Sequence, residues 1–579
     1  MRTGRAAVPV LALALAVAGC GGIPRSGDVV AGSRVEADPR VGLLQVIADG
    51  PVRGAGPVDV VRGFLLAAAS SDDDHGVARE FLTAAAAQTW RADASTTIVT
   101  GAPDLALVSL DGSGDDAQAV VSLTSTTTAV IDAAGHYVER APGPPTTRQV
   151  RLVREDGQWR LADPGDGIVL TSLDASRTVR SFPVYFVTAG PSPQLVADVR
   201  WFGYDSSTAT RIVRALLEGP SPWLAPGVVS GAPRGTSLRV GTVPVAAGTA
   251  TVDLSDTALE ADPAQRSTLL AQLRASLTGL PGLSDVTVSV DGAELTRDGS
   301  RGADLPRSAV PADARLVVLG PEGLSRWDRQ ALRPVAGTGP GLASTEGAAH
   351  PAAAPDGTTY AVLTDEGRVA RVQTAGGPLQ PAVSGRGPLL PPAVDRFGWL
   401  WTAATATGQP LVVPVGAPAT PAEVVEPPAG GFGGTLTGLR VSRDGARVLV
   451  VVRGDDGSGA GGWHVRVHGV VRDGAGRPLR LGEPGADLAP GAGEVLDAAW
   501  LVEDRFALLV RRADGSTVPV LAEVSGPSAP LPAVPGAVSV AGGWSDRDLV
   551  VGTADGRLLT RSGADWIVVA DGRDPSYPG

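Results

Sequence analysis

The stretch PDGTTYAVLTDEGRVARVQ, residues 355–373, contains an Asp-Gly turn, a strand-like run, a second turn and a second strand-like run. Turn residues that separate runs of Val, Leu and aromatic side chains are typical of β-hairpins. Similar units begin at Asp395, Ser442, Val502 and Ser545, so successive units start 40, 47, 60 and 43 residues apart. Because a four-stranded propeller blade repeats about every 40–45 residues, this spacing predicts a β-propeller.

The predicted propeller spans residues 310–575 and has about five to seven blades. Its one long interval contains a Gly- and Asp-rich insertion, Gly454–Gly462. The strand near Ala314–Leu319 and the last strands, near Trp566–Ala570, are expected to share a blade, because such a closure removes a free sheet edge. A pair of β-sandwiches is the alternative architecture, and the five repeats favour the propeller.

Residues 180–298 alternate strand and helix patterns and predict an α+β domain. Six ordered pieces occur in it: VYFV (184–187), Arg200, LLEGP (216–220), PRGTSL (233–238), TVDLS (251–255) and VDG (290–292). This order resembles the GerMN domain of spore-germination lipoproteins, a likeness that implies a fold but no particular reaction.

Four polar residues of this domain are candidates for ligand binding: Arg200, Glu218, Asp253 and Ser255. Each also has a structural interpretation. Gly219-Pro220 ends a helix beside Glu218. Asp253 and Ser255 can hydrogen-bond their own turn, and Arg200 can pair with a carboxylate inside the fold.

Residues 57–167 predict a first α+β domain, with two helices followed by an antiparallel sheet. The second helix is expected to begin near Asp72–Asp74, where carboxylates complement the helix dipole, and to run towards Trp90. The stretch AREFLTAAAAQTW (78–90) resembles the NTF2-like cone of other bacterial lipoproteins. Such cones occur as enzymes and as empty scaffolds, and the ionisable candidates for a pocket here are His136 and scattered carboxylates.

The N-terminus has the form of a secretory signal, predicted to span residues 1–19. Arg2 and Arg5 precede an uncharged apolar run from Val8 to Ala18, which is shorter than the ~20 apolar residues of a membrane-spanning helix. VAGC (17–20) then resembles the lipobox of bacterial lipoproteins and contains the only cysteine of the chain. Cys20 is therefore the expected lipid acceptor, and residues 20–56 form a Gly- and Pro-rich tether. A plain signal peptide with a chance cysteine is the alternative.

The net charge of the chain limits which classes of binding partner are expected. The net charge of −12 favours neither nucleic acid nor an anionic lipid surface. All 49 basic residues are Arg.

No catalytic constellation, metal site or cofactor is predicted. His464 and His468 in HVRVH lie four residues apart, and on a strand this places them about 13 Å apart, too far to share a metal ion. The helical metal motif HExxH would need Glu where Val465 stands. No P-loop, EF-hand spacing or nucleophile elbow is present. The chain is therefore expected not to be an enzyme.

The order of lipobox, NTF2-like unit, GerMN domain and propeller resembles the LpqB lipoprotein family of actinobacteria. That resemblance implies a lipidated (palmitate-bearing) protein on the extracytoplasmic face of the cell membrane. It also implies a partner, the extracytoplasmic domain of the Mtr two-component sensor histidine kinase, and a role in cell-envelope homeostasis and division.

Three alternatives to this function remain open. A cell-wall glycan- or peptide-binding lipoprotein predicts exposed aromatic residues beside a groove, such as Trp201, Trp223 or Tyr204. A propeller-based hydrolase predicts a carboxylate cluster or a metal in the central channel. A structural envelope protein predicts no specific ligand.

Overall fold

The computed structural model describes residues 49–70, 74–295, 305, 314–335, 347–374, 377–454, 462–485 and 487–579. The predicted signal peptide, Cys20, most of the tether, and Asp72 and Asp73 lie outside these ranges. The predicted multidomain architecture is confirmed, with two α+β regions followed by an all-β region.

The first region begins with α1, Pro57–Ala67, in which proline occupies the first turn and Val60, Val61 and Phe64 are buried at helical spacing. Two short helices follow, α2 (Gly76–Arg79) and α3 (Ala84–Thr89). The expectation of one helix running to Trp90 was therefore wrong. The helix is interrupted at Phe81–Thr83 because the backbone there hydrogen-bonds to the backbone of Leu161 in the sheet. The Thr83 hydroxyl then caps the start of α3.

Two four-stranded sheets complete this region, in the orders β5-β4-β1-β8 and β2-β3-β6-β7. Strand β8 pairs in parallel with β1 and lies beyond residue 167, where the sequence placed the end of this domain. The helix α4 (Ser172–Thr178) follows β8. The strands are β1 Ser95–Val99, β2 Asp104–Asp111, β3 Gln118–Ser125, β4 Thr127–Asp132, β5 Tyr137–Glu139, β6 Thr146–Glu155, β7 Gln158–Asp163 and β8 Ile168–Thr171.

The middle region contains the amphipathic helix α5 (Thr208–Glu218) and the longer helix α6 (Pro263–Leu277). Asp262 and Gln265 form a capping box that fixes the start of α6. The sheets have the orders β10-β9-β11 and β12-β13-β14-β15, and β13 runs parallel to β14 because α6 connects them. The strands are β9 Val179–Thr188, β10 Leu195–Gly203, β11 Val228–Val229, β12 Val245–Ala246, β13 Thr249–Leu254, β14 Asp285–Val290 and β15 Ala293–Glu294.

The described part of residues 314–579 forms six four-stranded antiparallel sheets, and the predicted β-propeller is confirmed. The strands are β16 Leu316–Gly320, β17 Gly323–Trp327, β18 Leu332–Pro334, β19 Ala349–Ala353, β20 Tyr360–Thr364, β21 Val369–Gln373, β22 Gln380–Val383, β23 Ala393–Val394, β24 Trp399–Ala404, β25 Gln409–Pro414, β26 Glu423–Val424, β27 Gly434–Val441, β28 Arg447–Gly454, β29 Trp463–Arg472, β30 Pro478–Pro484, β31 Glu494–Trp500, β32 Arg505–Arg511, β33 Thr517–Glu523, β34 Ser528–Pro530, β35 Ala537–Gly542, β36 Leu549–Thr553, β37 Arg557–Ser562, β38 Asp565–Asp571 and β39 Arg573–Ser576.

The sequence repeat marks the turn between the first and second strands of a sheet. Asp356 accepts backbone hydrogen bonds from Thr358 and Thr359 there. Asp395 and Asp444 have the same role in the next two sheets. The Asp side chain substitutes for a backbone turn, so the repeat follows from turn geometry.

The propeller closes through its last strand. Strand β39 pairs with β16, while β38, which contains Trp566–Ala570, belongs to the sixth sheet. The expected closure is thus present, but its strand is Arg573–Ser576. Contacts between the inner strands run from β39 through β19, β23, β27, β31 and β35 back to β39, which leaves the ring without an open edge.

Candidate functional site

Arg200 lies at the contact between the first region and the GerMN-like region. Its guanidinium pairs with Asp198 at 2.8 Å, and the two side chains are only 2% and 1% exposed. It also donates to the carbonyl of Ala134, in the β4–β5 turn, at 3.0 Å. A third bond reaches the Gly219 carbonyl at the end of α5. Arg200 therefore joins two domains and a helix terminus.

Asp198 is the residue of this cluster that the sequence reasoning missed. Its carboxylate accepts from the backbone N–H and the hydroxyl of Ser221, both at 2.7 Å. The available signal was an acid in an apolar strand, two residues before an arginine, because residues i and i+2 share one face of a strand.

The β4–β5 turn approaches β10 closely. The backbone N–H of Trp201 donates to the Gly135 carbonyl at 2.8 Å. Gly135 has a positive φ of 84°, and a Cβ there would come within 2.7 Å of the Phe202 ring. Glycine is thus required at this junction by both conformation and space.

Asp253 and Ser255 lie elsewhere in the GerMN-like domain and hold its turns. Asp253 accepts from the Ser289 hydroxyl at 2.8 Å and from the Gly292 N–H at 3.2 Å. These hydrogen bonds, the one from Ser289 first, hold the pKa of Asp253 below its usual range. Ser255 accepts from the Ser237 N–H at 3.2 Å.

Glu218 lines a cavity of about 350 Å³ between the first domain and the GerMN-like domain. Trp201 and Phe202 line the same cavity. Of the other aromatic residues considered, Tyr204 packs against Phe182, and Trp223 contacts the propeller. In the described ranges, no hydrogen bond or ion pair connects Arg200, Glu218, Asp253 and Ser255 with one another, so the four candidates do not form one site.

The GerMN-like domain also contacts one end of the propeller through Arg447, which is 1% exposed. Arg447 pairs with Asp444, donates to the Glu503 carbonyl of the next sheet, and reaches the Ala197 carbonyl of β10 at 3.5 Å. The Gly469 N–H donates to the Trp223 carbonyl at 3.0 Å. A Cβ at Gly469 would come within 2.6 Å of that carbonyl oxygen, so glycine permits this close approach.

A third junction involves all three domains. The Trp201 indole N–H donates to the Ser525 carbonyl of the propeller at 2.6 Å. Glu139, in β5, accepts from the hydroxyl and the N–H of Ser528 at 2.9 and 3.2 Å. Burial, together with the nearby Asp504 carboxylate, raises the pKa of Glu523 in the same neighbourhood.

The inner strands of the propeller surround a cavity of about 90 Å³. Its carboxylates serve separate partners: Asp497 pairs with Arg440 at 2.7 Å, and Asp574 lies 3.8 Å from His350. Arg443 lies over the Trp544 ring and donates to the Gly542 carbonyl at 2.6 Å. Burial lowers the pKa of Arg443 to about 10.

The HVRVH histidines have different surroundings. His464 contacts Asp487 at 2.8 Å, whereas buried His468 contacts the Gly482 carbonyl at 2.8 Å. His136, the pocket candidate of the first domain, pairs with Asp132. Within the described ranges, no group of three or more His, Cys, Asp or Glu side chains is placed to hold a metal ion.

The predicted lipid acceptor Cys20 lies outside the described residues. Of the helices in the described ranges, none combines the length and apolar character needed to span a bilayer.

Three family models match the chain in order. Residues 50–176 match "Lipoprotein LpqB, N-terminal domain", residues 183–296 match "Sporulation and spore germination", and residues 322–578 match "Lipoprotein LpqB beta-propeller domain". Among solved structures, TolB from Acinetobacter baumannii is 18% identical over 46% of this chain and 66% of its own, with a TM-score of 0.32. The tandem GerMN domains of GerM from Bacillus subtilis are 17% identical over 25% of this chain and 59% of their own, with a TM-score of 0.18.

Relatives named Lipoprotein LpqB align along nearly the whole chain. The protein from Streptomyces coelicolor is 29% identical over 97% of this chain and 96% of its own length. The protein from Streptomyces avermitilis is 29% identical over 98% and 97%, respectively. Because these relatives and both LpqB domain models agree with the order of the domains, the chain belongs to the LpqB lipoprotein family.

Proposed function

We propose that this protein is a non-enzymatic lipoprotein, anchored through Cys20 on the extracytoplasmic face of the cell membrane. It binds the extracytoplasmic domain of an Mtr-type sensor histidine kinase and so regulates cell-envelope homeostasis and division. Membership of the LpqB family supports the lipoprotein assignment. The kinase is proposed as the partner because the resemblance to the LpqB family implies it.

The observation that carries the binding role is the way the three domains are fastened together. Arg200 connects the first domain to the GerMN-like domain, and Arg447 connects the latter to the propeller. Glu139 and Ser528 connect the first domain to the propeller directly. A body held at three junctions presents a pre-organised surface, which lowers the entropic cost of binding a partner.

Because the lipid anchor and tether hold the protein at the membrane, a weak interface with the kinase is sufficient for association. A lipid anchor confines this protein to the membrane that holds the kinase, and this confinement raises the effective concentration of each partner for the other. Association should therefore depend on lipidation as well as on the contact surface.

The test is association on vesicles. The full lipidated chain and the kinase are reconstituted together, and their proximity is measured by energy transfer between labels. We expect transfer above that of an unrelated lipoprotein anchored at the same density. Transfer equal to that of the unrelated lipoprotein would refute the kinase as partner.

A further inference from the structure

The cavity between the first domain and the GerMN-like domain exists because the two domains meet. Strands β1, β4 and β8 supply one wall through Thr96, Ile131, Ile168 and Leu170. Strand β10 and helix α5 supply the other. Ligand sites are often found at such domain boundaries, in cavities of about 300–1,000 Å³, and the volume here lies in that range.

One face of α5 points into the cavity. Arg211, Arg214, Ala215 and Glu218 line it, at the i, i+3, i+4, i+7 spacing of a single helix face. The other face of α5, including Ile212 and Leu216, is buried in the core of the GerMN-like domain. The charged face of an amphipathic helix therefore lies opposite a sheet wall of mixed polarity, on which Asp132 is paired with His136.

The charged side chains on this face of α5 differ in how many hydrogen bonds they already make within the protein. Arg211 makes a bidentate contact with Asp205, at 3.0 Å from each nitrogen to Oδ2. The Arg214 guanidinium makes a single hydrogen bond, to the Gly241 carbonyl at 2.6 Å. The Glu218 carboxylate makes no hydrogen bond or ion pair with any residue that the structure describes, and the side chain is exposed.

Arg214 and Glu218 are thus a cation and an anion one helical turn apart. Side chains at i and i+4 have Cβ atoms about 5–6 Å apart, yet no ion pair forms between these two in the described structure. Each retains capacity for a partner from outside the chain. Across the cavity, the half-buried side chains of Ile168 and Trp201 offer an apolar and an aromatic surface, whereas Ile131 and Leu170 are buried behind them.

We infer that this cavity binds an α-amino acid or a short peptide that carries an apolar side chain. Glu218 receives the ligand ammonium, Arg214 receives its carboxylate, and the side chain contacts the sheet wall. Charge-assisted hydrogen bonds at both ends give selectivity for the zwitterion. This binding requires no kinase and is measured without one.

The test uses the full chain in lipid nanodiscs and isothermal titration calorimetry. The probes are leucine, leucyl-leucine, N-acetyl-leucine, which lacks the ammonium, and leucinamide, which lacks the carboxylate. We expect leucine or leucyl-leucine to bind, and each blocked derivative to bind about tenfold more weakly, as expected for the loss of one charge-assisted contact. Whichever of leucine and leucyl-leucine binds with the higher affinity shows whether the ligand is a free amino acid or a peptide.

Two variants test which residue contacts the carboxylate of the ligand and which contacts its ammonium group. Arg214→Gln should lower the affinity for the zwitterionic probe about tenfold and leave the affinity for leucinamide unchanged. Glu218→Gln should lower the affinity for the zwitterionic probe by the same factor and leave the affinity for N-acetyl-leucine unchanged. Arg234→Gln and Glu260→Gln, at exposed positions of the same domain, are matched controls and should change nothing. No binding of any probe at millimolar concentration, or binding unaffected by both cavity variants, would overturn the inference.

Discussion

The Arg200 guanidinium and the Asp198 carboxylate form an ion pair of 2.8 Å that is almost completely shielded from solvent. Both residues project from β10, and their remaining hydrogen bonds reach the β4–β5 turn and the segment after α5. One pair of side chains on one strand therefore contributes hydrogen bonds on both sides of the contact between two domains.

Arg200→Met should lower the free energy of unfolding by about 3–5 kcal/mol, because it leaves the Asp198 charge buried without its cation. Urea unfolding at neutral pH measures this. Arg239→Met is the control: its half-exposed guanidinium pairs with Asp291 at 3.0 Å, and such a surface pair contributes less than about 1 kcal/mol. A double variant, Arg200→Met with Asp198→Asn, should recover part of the loss; equal losses in the single and double variants would contradict an electrostatic origin.

Ser528→Ala should loosen the contact between the first domain and the propeller. It removes the hydroxyl that donates to Glu139 at 2.9 Å, a bond that contributes about 1 kcal/mol. Hydrogen exchange should increase in Tyr137–Glu139 as well as around residue 528. Ser516→Ala removes a hydroxyl bond to Asp514 within a single turn, so its effect should stay local. Unchanged exchange in β5 would argue against the junction.

Glu523→Gln should stabilise the protein at neutral pH. Burial raises the pKa of Glu523 above its usual value, so the folded state binds more protons than the unfolded state, and stability falls as pH rises from the unfolded to the folded pKa. Glutamine has no proton to lose. The melting temperatures of the two proteins should coincide below the unfolded pKa of a glutamate, about 4.3, and separate above it. A wild type that is the more stable form at pH 7 would contradict this sign.

Cys20→Ala should release most of the protein from the membrane, since lipid at Cys20 is the proposed anchor and the described helices supply no membrane span. Cell fractionation and detergent phase partitioning measure this. Ser26→Ala, also in the predicted tether, should remain with the membrane. If Cys20→Ala stays in the membrane fraction, another attachment exists.

Local signals predicted the secondary structure well wherever short-range chemistry fixes it. Helix α6 (Pro263–Leu277) begins where a proline and the Asp262 cap fix its start, and both residues are visible in the sequence. The helix predicted through Phe81 to Trp90 was wrong, because a distant strand residue, Leu161, pairs with the backbone of that segment. Helical periodicity carries no information about such a competitor.

The candidate site was predictable only in part. Arg200 was identified as a residue that could pair with a buried carboxylate, but neither its partner Asp198 nor the domains that it joins were. Glu218 was identified with no knowledge that it lines a cavity. That cavity requires Ile131 and Leu170, which are more than forty residues away along the chain and show nothing unusual in sequence.

By itself the sequence determined the order of the domains, the propeller repeat and the expected anchor, because hydrophobic periodicity, turn residues and a signal motif act over a few residues. The tertiary structure alone decided that β39 closes the ring with β16, that three junctions lock the domains together, and that α5 presents charges to a cavity wall formed by the first domain. These features depend on which surfaces meet after folding, and burial then fixes the hydrogen-bond partners of each polar group, since an unpaired buried polar group is costly.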